Sequence, residues 1–126
     1  MIVVDANVLI AFLEHGHVHG EAALDILDTE DELMIHPLTL AECAVGAGKA
    51  GVEDELRAAI SRIGIQVWEP DSEHPYRLGA ARAASALKIP DCCVLDAADH
   101  LSATLATFDT ALATASKSKG LTVLTL

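Results

Sequence analysis

The stretch Met1-Ile2-Val3-Val4-Asp5-Ala6-Asn7-Val8 decides the fold. A short apolar run stops on an aspartate, an asparagine follows two residues later, and a second apolar run, Val8-Leu9-Ile10-Ala11-Phe12-Leu13, takes over. Val3 and Val4 are β-branched, so Ile2 to Val4 reads as a strand. It is too short to alternate and too apolar for an edge, which suits the centre of a parallel sheet covered on both faces. In such sheets ligands gather at the carboxyl ends of the strands, and Asp5 stands at that end. Taken alone, Asp5 reads equally well as the N-cap of a helix starting at Ala6. Asn7 reads either as a turn residue bonded to local backbone or as a support for the Asp5 carboxylate.

Outward from this stretch, helix is expected over Ala6 to Leu13 and from about Glu21 to Asp28, with Ala23, Leu24 and Leu27 on one face. His15-Gly16-His17-Val18-His19-Gly20 separates the two. Leu33-Met34-Ile35 is the second strand, stopped by Pro37. Thr39 opens a helix to about Gly46, and Gly46 to Gly51 is a loop or a loose helical stretch. Val52 to Ile63 carries Leu56, Ala59, Ile60 and Ile63 at helical spacing, with Gly64 as its cap. Ile65 to Trp68 is the third strand, and Tyr76 to Leu87 a helix with Ala80, Ala83, Ala84 and Leu87 inward. Pro90 suits the first turn of a helix over Asp91 to about His100. Ala103 to Thr107 is the fourth strand, Ala111 to Ser116 a short helix, and Leu121 to Leu124 the last strand. Strands alternating with alanine-rich helices give an α/β class. The expected architecture is a three-layer α/β/α sandwich with a central, mostly parallel sheet of four to five strands, in one domain over residues 1–126.

Composition narrows the function classes. Apolar residues make up 52% of the chain and charged residues 21%, which argues against disorder. No apolar run approaches the roughly 18 residues that span a bilayer, and the N-terminus lacks a basic segment, so a cytoplasmic protein without a membrane anchor is expected. Cys43, Cys92 and Cys93 are odd in number and lack CxxC spacing, which points to buried thiols in a reducing compartment. Eight Lys+Arg against nineteen Asp+Glu give a net charge of −11. That excludes a broad basic nucleic-acid surface, although a site charged by divalent cations or completed by a basic partner stays open.

Several carboxylates stand where chemistry is done. Thr39-Leu40-Ala41-Glu42 matches the capping-box pattern, which would bond Glu42 back to its own helix start. The other reading points Glu42 across the sheet edge towards Asp5. Asp91, Asp96 and Asp99 punctuate the otherwise apolar Asp91-Cys92-Cys93-Val94-Leu95-Asp96-Ala97-Ala98-Asp99. On a helix Asp99 lies about 80° from Asp91 and Asp96 about 140° away, so Asp91 and Asp99 share a face while Asp96 points elsewhere. Asp109 ends the fourth strand, with Thr107 before it to support the site through its hydroxyl. Uncompensated carboxylates in one place repel, and such a cluster is costly unless divalent cations sit among them. Hard oxygen ligands without Cys/His spacing suit Mg²⁺ or Mn²⁺ rather than Zn²⁺. Such ions activate water and stabilise charge developing on a phosphodiester.

These residues resemble a known family. Ile2-Val3-Val4-Asp5-Ala6-Asn7-Val8-Leu9-Ile10, Pro37-Leu38-Thr39-Leu40-Ala41-Glu42, Ile89-Pro90-Asp91 and Thr104-Leu105-Ala106-Thr107-Phe108-Asp109 follow in the order and spacing of PIN-domain ribonucleases, and among them the VapC toxins of type II toxin–antitoxin pairs. The resemblance implies a Mg²⁺- or Mn²⁺-dependent endoribonuclease acting on RNA, a homodimer, and a cognate antitoxin that blocks the site. The family's acidic positions fall on Asp5, Glu42, Asp91 and Asp109, which would act as catalytic residues and metal ligands. Its supporting polar positions fall on Asn7 and Thr107. Asp96 departs from the family's small apolar residue, and Cys92 and Cys93 are unusual beside Asp91. Among the few basic residues, Lys49, Lys88, Lys117 and Lys119 are expected nearest the carboxyl edge.

Rival readings are weaker on the residues. His15, His17 and His19 offer ligand atoms but sit in a glycine-bearing loop without a further ligand, so an exposed loop near a dimer or antitoxin surface is the better account. A haloacid dehalogenase-like phosphatase would carry a second Asp where Asn7 stands, and a phosphate-binding lysine on a later helix. A receiver domain would place an acceptor Asp where Trp68-Glu69-Pro70 follows the third strand. A catalytically weak PIN-like binding or regulatory module is the remaining alternative.

Overall fold

The computed structural model describes residues 1–126. Five strands, β1 (Ile2–Val4), β2 (Leu33–Ile35), β3 (Ile65–Val67), β4 (Thr104–Ala106) and β5 (Val123–Leu124), form one sheet in the order β3-β2-β1-β4-β5. All four pairings are parallel, with β1 at the centre. Ile2, Val3 and Val4 are buried, as a strand covered on both faces requires. The chain builds 1-2-3 to one side of β1 and 4-5 to the other. The strand order therefore reverses between β1 and β4, where α/β sheets open a crevice at their carboxyl ends.

Seven helices cover the sheet: α1 (Ala6–Leu13), α2 (Gly20–Leu27), α3 (Pro37–Ala50), α4 (Glu53–Ile63), α5 (His74–Ala84), α6 (Ile89–His100) and α7 (Thr110–Ser118). Two apolar cores result. One packs Val4, Leu9, Ile35 and Leu56 on the side of α1 to α4, and the other packs Val3, Trp68, Val94 and Leu105 on the side of α5 to α7. Val3 and Val4 point to opposite cores, the period-two geometry of a strand. No helix is long and apolar enough to cross a membrane.

Local expectations are corrected at three helices. The third helix starts at Pro37, not Thr39, because His36 caps it: the His36 ring Nδ1 accepts from Leu38 N at 2.9 Å. No capping box forms. Thr39 is fully buried with its hydroxyl unpartnered, and Glu42 moves into the second turn, free of the helix start. The same helix runs on through Gly46 and Gly48 to end only at Gly51, whose φ of 72° supplies the left-handed cap. In α5 the inward face is His74, Leu78 and Ala81, while Ala80, Ala83 and Ala84 face solvent. The helix stops at Ala84, three residues before Leu87. The phase is set by His74, which points inward to polar partners. On α2, Ala23 and Leu27 are buried, but Leu24 is 49% exposed.

Candidate functional site

Asp5 follows β1 directly, and its main-chain N–H donates to Ala106 O at 2.9 Å, extending the β1–β4 pairing by one residue. This places the carboxyl at the crevice, 7% exposed. Both readings of Asp5 hold together: Oδ1 accepts from Ala6 N at 2.8 Å as a helix N-cap, while Oδ2 accepts from Thr107 Oγ1 at 2.7 Å. The fully buried Thr107 hydroxyl also accepts from Asp109 N at 3.0 Å and from Asn7 Nδ2 at 3.4 Å. Asn7 Oδ1 in turn accepts from Phe108 N at 3.0 Å. One hydroxyl and one amide thus stitch the ends of β1 and β4 together, and Asp5 and Asp109 with them. Asp109 caps α7 through Leu112 N at 2.8 Å.

Glu42 and Asp91 arrive differently. Glu42 projects from the second turn of α3 at the exposed mouth, and Asp91 is half-buried in the first turn of α6. Neither carboxylate is held by a side-chain hydrogen bond. Charge shows that they share the crevice. Burial raises the Asp5 carboxyl above the usual carboxylate range and Asp109 adds to it, against the lowering by Thr107, Ala6 and Asn7. Burial raises Glu42, and so do Asp5 and Asp91. Burial raises Asp91, joined by Asp109 and Asp5, with Lys88 opposing. All six acids and supports named from the sequence therefore meet around the ends of β1 and β4. No three of the carboxylates bring oxygens within 4.8 Å of one another. The crevice offers hard oxygen donors of like charge, opposed at Asp91 by Lys88. That donor set fits a divalent cation of the Mg²⁺ or Mn²⁺ kind, which binds through a few carboxylates and keeps part of its water shell.

Other residues fall elsewhere. Asp99 sits at the far end of α6, bound to Lys119 Nζ at 3.1 Å, so it does not reach the crevice with Asp91. Lys119 follows α7 and Lys117 lies in its last turn, at the opposite edge from Asp109. Lys49 is two turns beyond Glu42 on α3, which leaves Lys88 as the one of the four beside the acids. His15, His17 and His19 do not converge on a ligand point: His17 Nδ1 accepts from His19 N at 3.0 Å, and the His19 ring packs tilted against Phe108 with ring centroids 5.5 Å apart.

A second polar cluster was not singled out in the sequence. His36, His74 and Cys93 are buried, with ligand-type atoms within 4.8 Å of one another. His74 Nδ1 pairs with Asp96 Oδ2, and Arg77 Nε and Nη2 hold the same carboxylate at 2.8 and 3.0 Å. Burial works to raise the Asp96 carboxyl, but Arg77 and His74 hold it below the usual range. This is what Asp96 does in place of an apolar residue. A histidine between an apolar strand and a proline was the one readable signal.

Comparison with known proteins agrees with the geometry. The PIN domain family model matches residues 2–118. The structure superposes with a TM-score of 0.73 on a chain of a toxin–antitoxin complex from Klebsiella pneumoniae, 28% identical, covering 87% of this chain and 88% of that one. It superposes with a TM-score of 0.75 on FitAcB from Neisseria gonorrhoeae, 21% identical, covering 98% and 96%. It also matches VapC20 of Mycobacterium tuberculosis, a sarcin–ricin loop cleaving toxin, at a TM-score of 0.75 and 14% identity, covering 91% and 95%. No curated relative matches the sequence. With an all-parallel five-stranded sheet, an acidic crevice at its switch point and a family model matching nearly its whole length, the chain belongs to the PIN domain family.

Proposed function

We propose that this chain is a Mg²⁺- or Mn²⁺-dependent endoribonuclease and the toxin of a toxin–antitoxin pair. The observation that carries the proposal is the convergence of Asp5, Glu42, Asp91 and Asp109 on one crevice, three of them with raised carboxyl pKa values. Asp5, Asp91 and Asp109 are the expected principal cation ligands, with Glu42 closing the site from the mouth. Asn7 and Thr107 fix the first and third of these in register. When bound, a divalent ion supplies activated water and offsets the charge that builds on the phosphodiester. The chain's own part is to orient its carboxylates and to exclude competing donors from the buried Asp5 side. The test is cleavage of structured RNA by partner-free protein with Mg²⁺ or Mn²⁺. Undiminished cleavage in EDTA overturns the reading.

A partner fits the same reading. An apolar groove between α1, α3 and α4, lined by Ile10, Leu13, Cys43, Ala47 and Leu56, carries Glu14 and Glu55 among its walls. An antitoxin segment with an apolar face and basic flanks complements it. A second copy of the chain is expected on the open face of α5, where Tyr76 is 74% exposed beside the solvent-facing Ala80, Ala83 and Ala84. Monomeric mass at micromolar concentration would contradict the homodimer.

A further inference from the structure

The buried cluster at the starts of α3 and α5 has an ordered set of protons. Leu38 N–H can only donate, so His36 Nδ1 accepts and the His36 proton sits on Nε2. His36 Nε2 lies 2.8 Å from His74 Nε2, which must therefore accept, leaving the His74 proton on Nδ1. That proton faces Asp96 Oδ2. Asp96 accepts from Arg77, whose Nη1 and Nη2 also reach Asp71 at 2.9 and 3.2 Å. Every donor meets an acceptor from the α3 main chain to the surface. Trp68 packs edge-on against both histidine rings, with centroids 5.8 and 5.2 Å away, and shields the chain.

His36, His74 and Cys93 resemble a zinc ligand set, but the protons argue against it. A bound cation needs a lone pair on both Nε2 atoms, and His36 carries its proton there. Two nitrogens on one tetrahedral zinc stand about 3.3 Å apart, given Zn–N bonds of about 2.0 Å. The observed 2.8 Å is a hydrogen bond.

The placement of the cluster gives it a role. Asp5 and Asp109 are tied by Thr107 and Asn7, but Glu42 and Asp91 have no such tie, so their helices alone place them. His36 caps α3 six residues before Glu42, and Asp96 lies five residues after Asp91 on α6. Cys93 follows Asp91 by two residues on α6, and its Sγ lies within 4.8 Å of ring nitrogens of His36 and His74, which puts the cluster beside the Asp91 end of that helix. We infer that His36, His74 and Asp96 are positioning residues that clamp α3 to α6 and so set the Glu42–Asp91 spacing of the cation site. The inference rests on the proposed cation-binding role of that crevice.

Two substitutions at one position separate clamp from cap. In His36→Asn the amide oxygen can stand in for Nδ1 and keep the cap, but the side chain is too short to reach His74. In His36→Gln the amide stands in for Nε2 and reaches His74 without capping. The protein is titrated by ¹³C NMR at the carboxyls, and with Mn²⁺ by electron paramagnetic resonance. In His36→Asn, the Glu42 and Asp91 carboxyls should shift their titration. Mn²⁺ affinity should fall about tenfold, the lower end of what loss of ligand-orienting partners does. His36→Gln should restore both readings. Unchanged Glu42 and Asp91 titrations in a folded His36→Asn protein would overturn the inference. If wild type binds no Mn²⁺, the cation-site reading fails by itself, and the carboxyl titrations still decide the clamp. Co²⁺ added alone should give no thiolate charge-transfer band. A band lost in Cys93→Ser would overturn the proton order in favour of a metal site.

Discussion

Replacing Thr107 by valine keeps the shape of the side chain and removes one hydroxyl. That hydroxyl donates to Asp5 Oδ2 at 2.7 Å and accepts from Asp109 N at 3.0 Å in a position with no solvent exposure. A hydrogen bond to an ionised group contributes about 1.5–3 kcal/mol, and an orphaned buried N–H costs about 1–3 kcal/mol, part of which water at the half-buried Asp109 recovers. The expected loss is about 3 kcal/mol, or about 10 °C in the melt of a chain of this size. The Thr107 bond also lowers the Asp5 pKa by favouring the ionised carboxylate, so its removal raises that carboxyl further. A folded-state pKa above the unfolded value means that the native state binds the proton more tightly. The penalty is then present above the folded pKa and shrinks as pH falls through it. Urea denaturation of wild type and Thr107→Val at pH 7 and at pH 4 reads both effects. A loss below about 0.5 kcal/mol, or a loss that does not change with pH, would refute the stitching role given to Thr107.

Asp5, Glu42 and Asp91 all have raised pKa values, so their ionised forms weaken the cation-free fold at neutral pH; Mn²⁺ at a hundred times its Kd should stabilise wild type by about 2.7 kcal/mol, and calorimetry of Asp5→Asn should show no such gain. His36 has the opposite sign: burial, then the neighbouring His74, lowers it to about 4, against Asp96, so the neutral ring supports the fold above its unfolded value of 6.5 and that support is lost as pH falls from 6.5 towards 4. Wild type should lose about 3 kcal/mol relative to His36→Gln between pH 7 and pH 4 in chemical denaturation, and parallel pH profiles would contradict the assignment. Gly64 ends α4 at φ 84°, so Gly64→Ala should cost about 1 kcal/mol in the melt, and a neutral result would contradict the left-handed cap.

The strand ends were legible in the sequence because each couples an apolar β-branched or small-residue run to a single aspartate. Asp5 and Asp109 were each legible as strand-end acids, and the pairing of β1 with β4 is what brings them together. Glu42 was legible as a candidate but not as free. Its spacing from Thr39 imitates a capping box, and only the burial of Thr39 and the His36 cap reveal that the helix starts earlier. The phase of α5 was misread because alanines look inward by composition. Its inner face is fixed instead by His74 meeting Asp96, a contact across 22 residues that no local period records. The same long range hid His36 and Cys93, whose meaning depends entirely on where α3 and α6 cross. Asp96 was visible only as a residue out of place.

The central claim is that one crevice gathers Asp5, Glu42, Asp91 and Asp109 to hold a divalent cation for RNA hydrolysis. The most direct measurement is the end chemistry of RNA cut by partner-free wild type and Asp5→Asn protein, with Mn²⁺ and with EDTA. Attack by water under cation catalysis predicts Mn²⁺-dependent products with 5′-phosphate and 3′-hydroxyl ends, absent with Asp5→Asn and in EDTA. Products ending in 2′,3′-cyclic phosphate, or equal cleavage by Asp5→Asn, would contradict it.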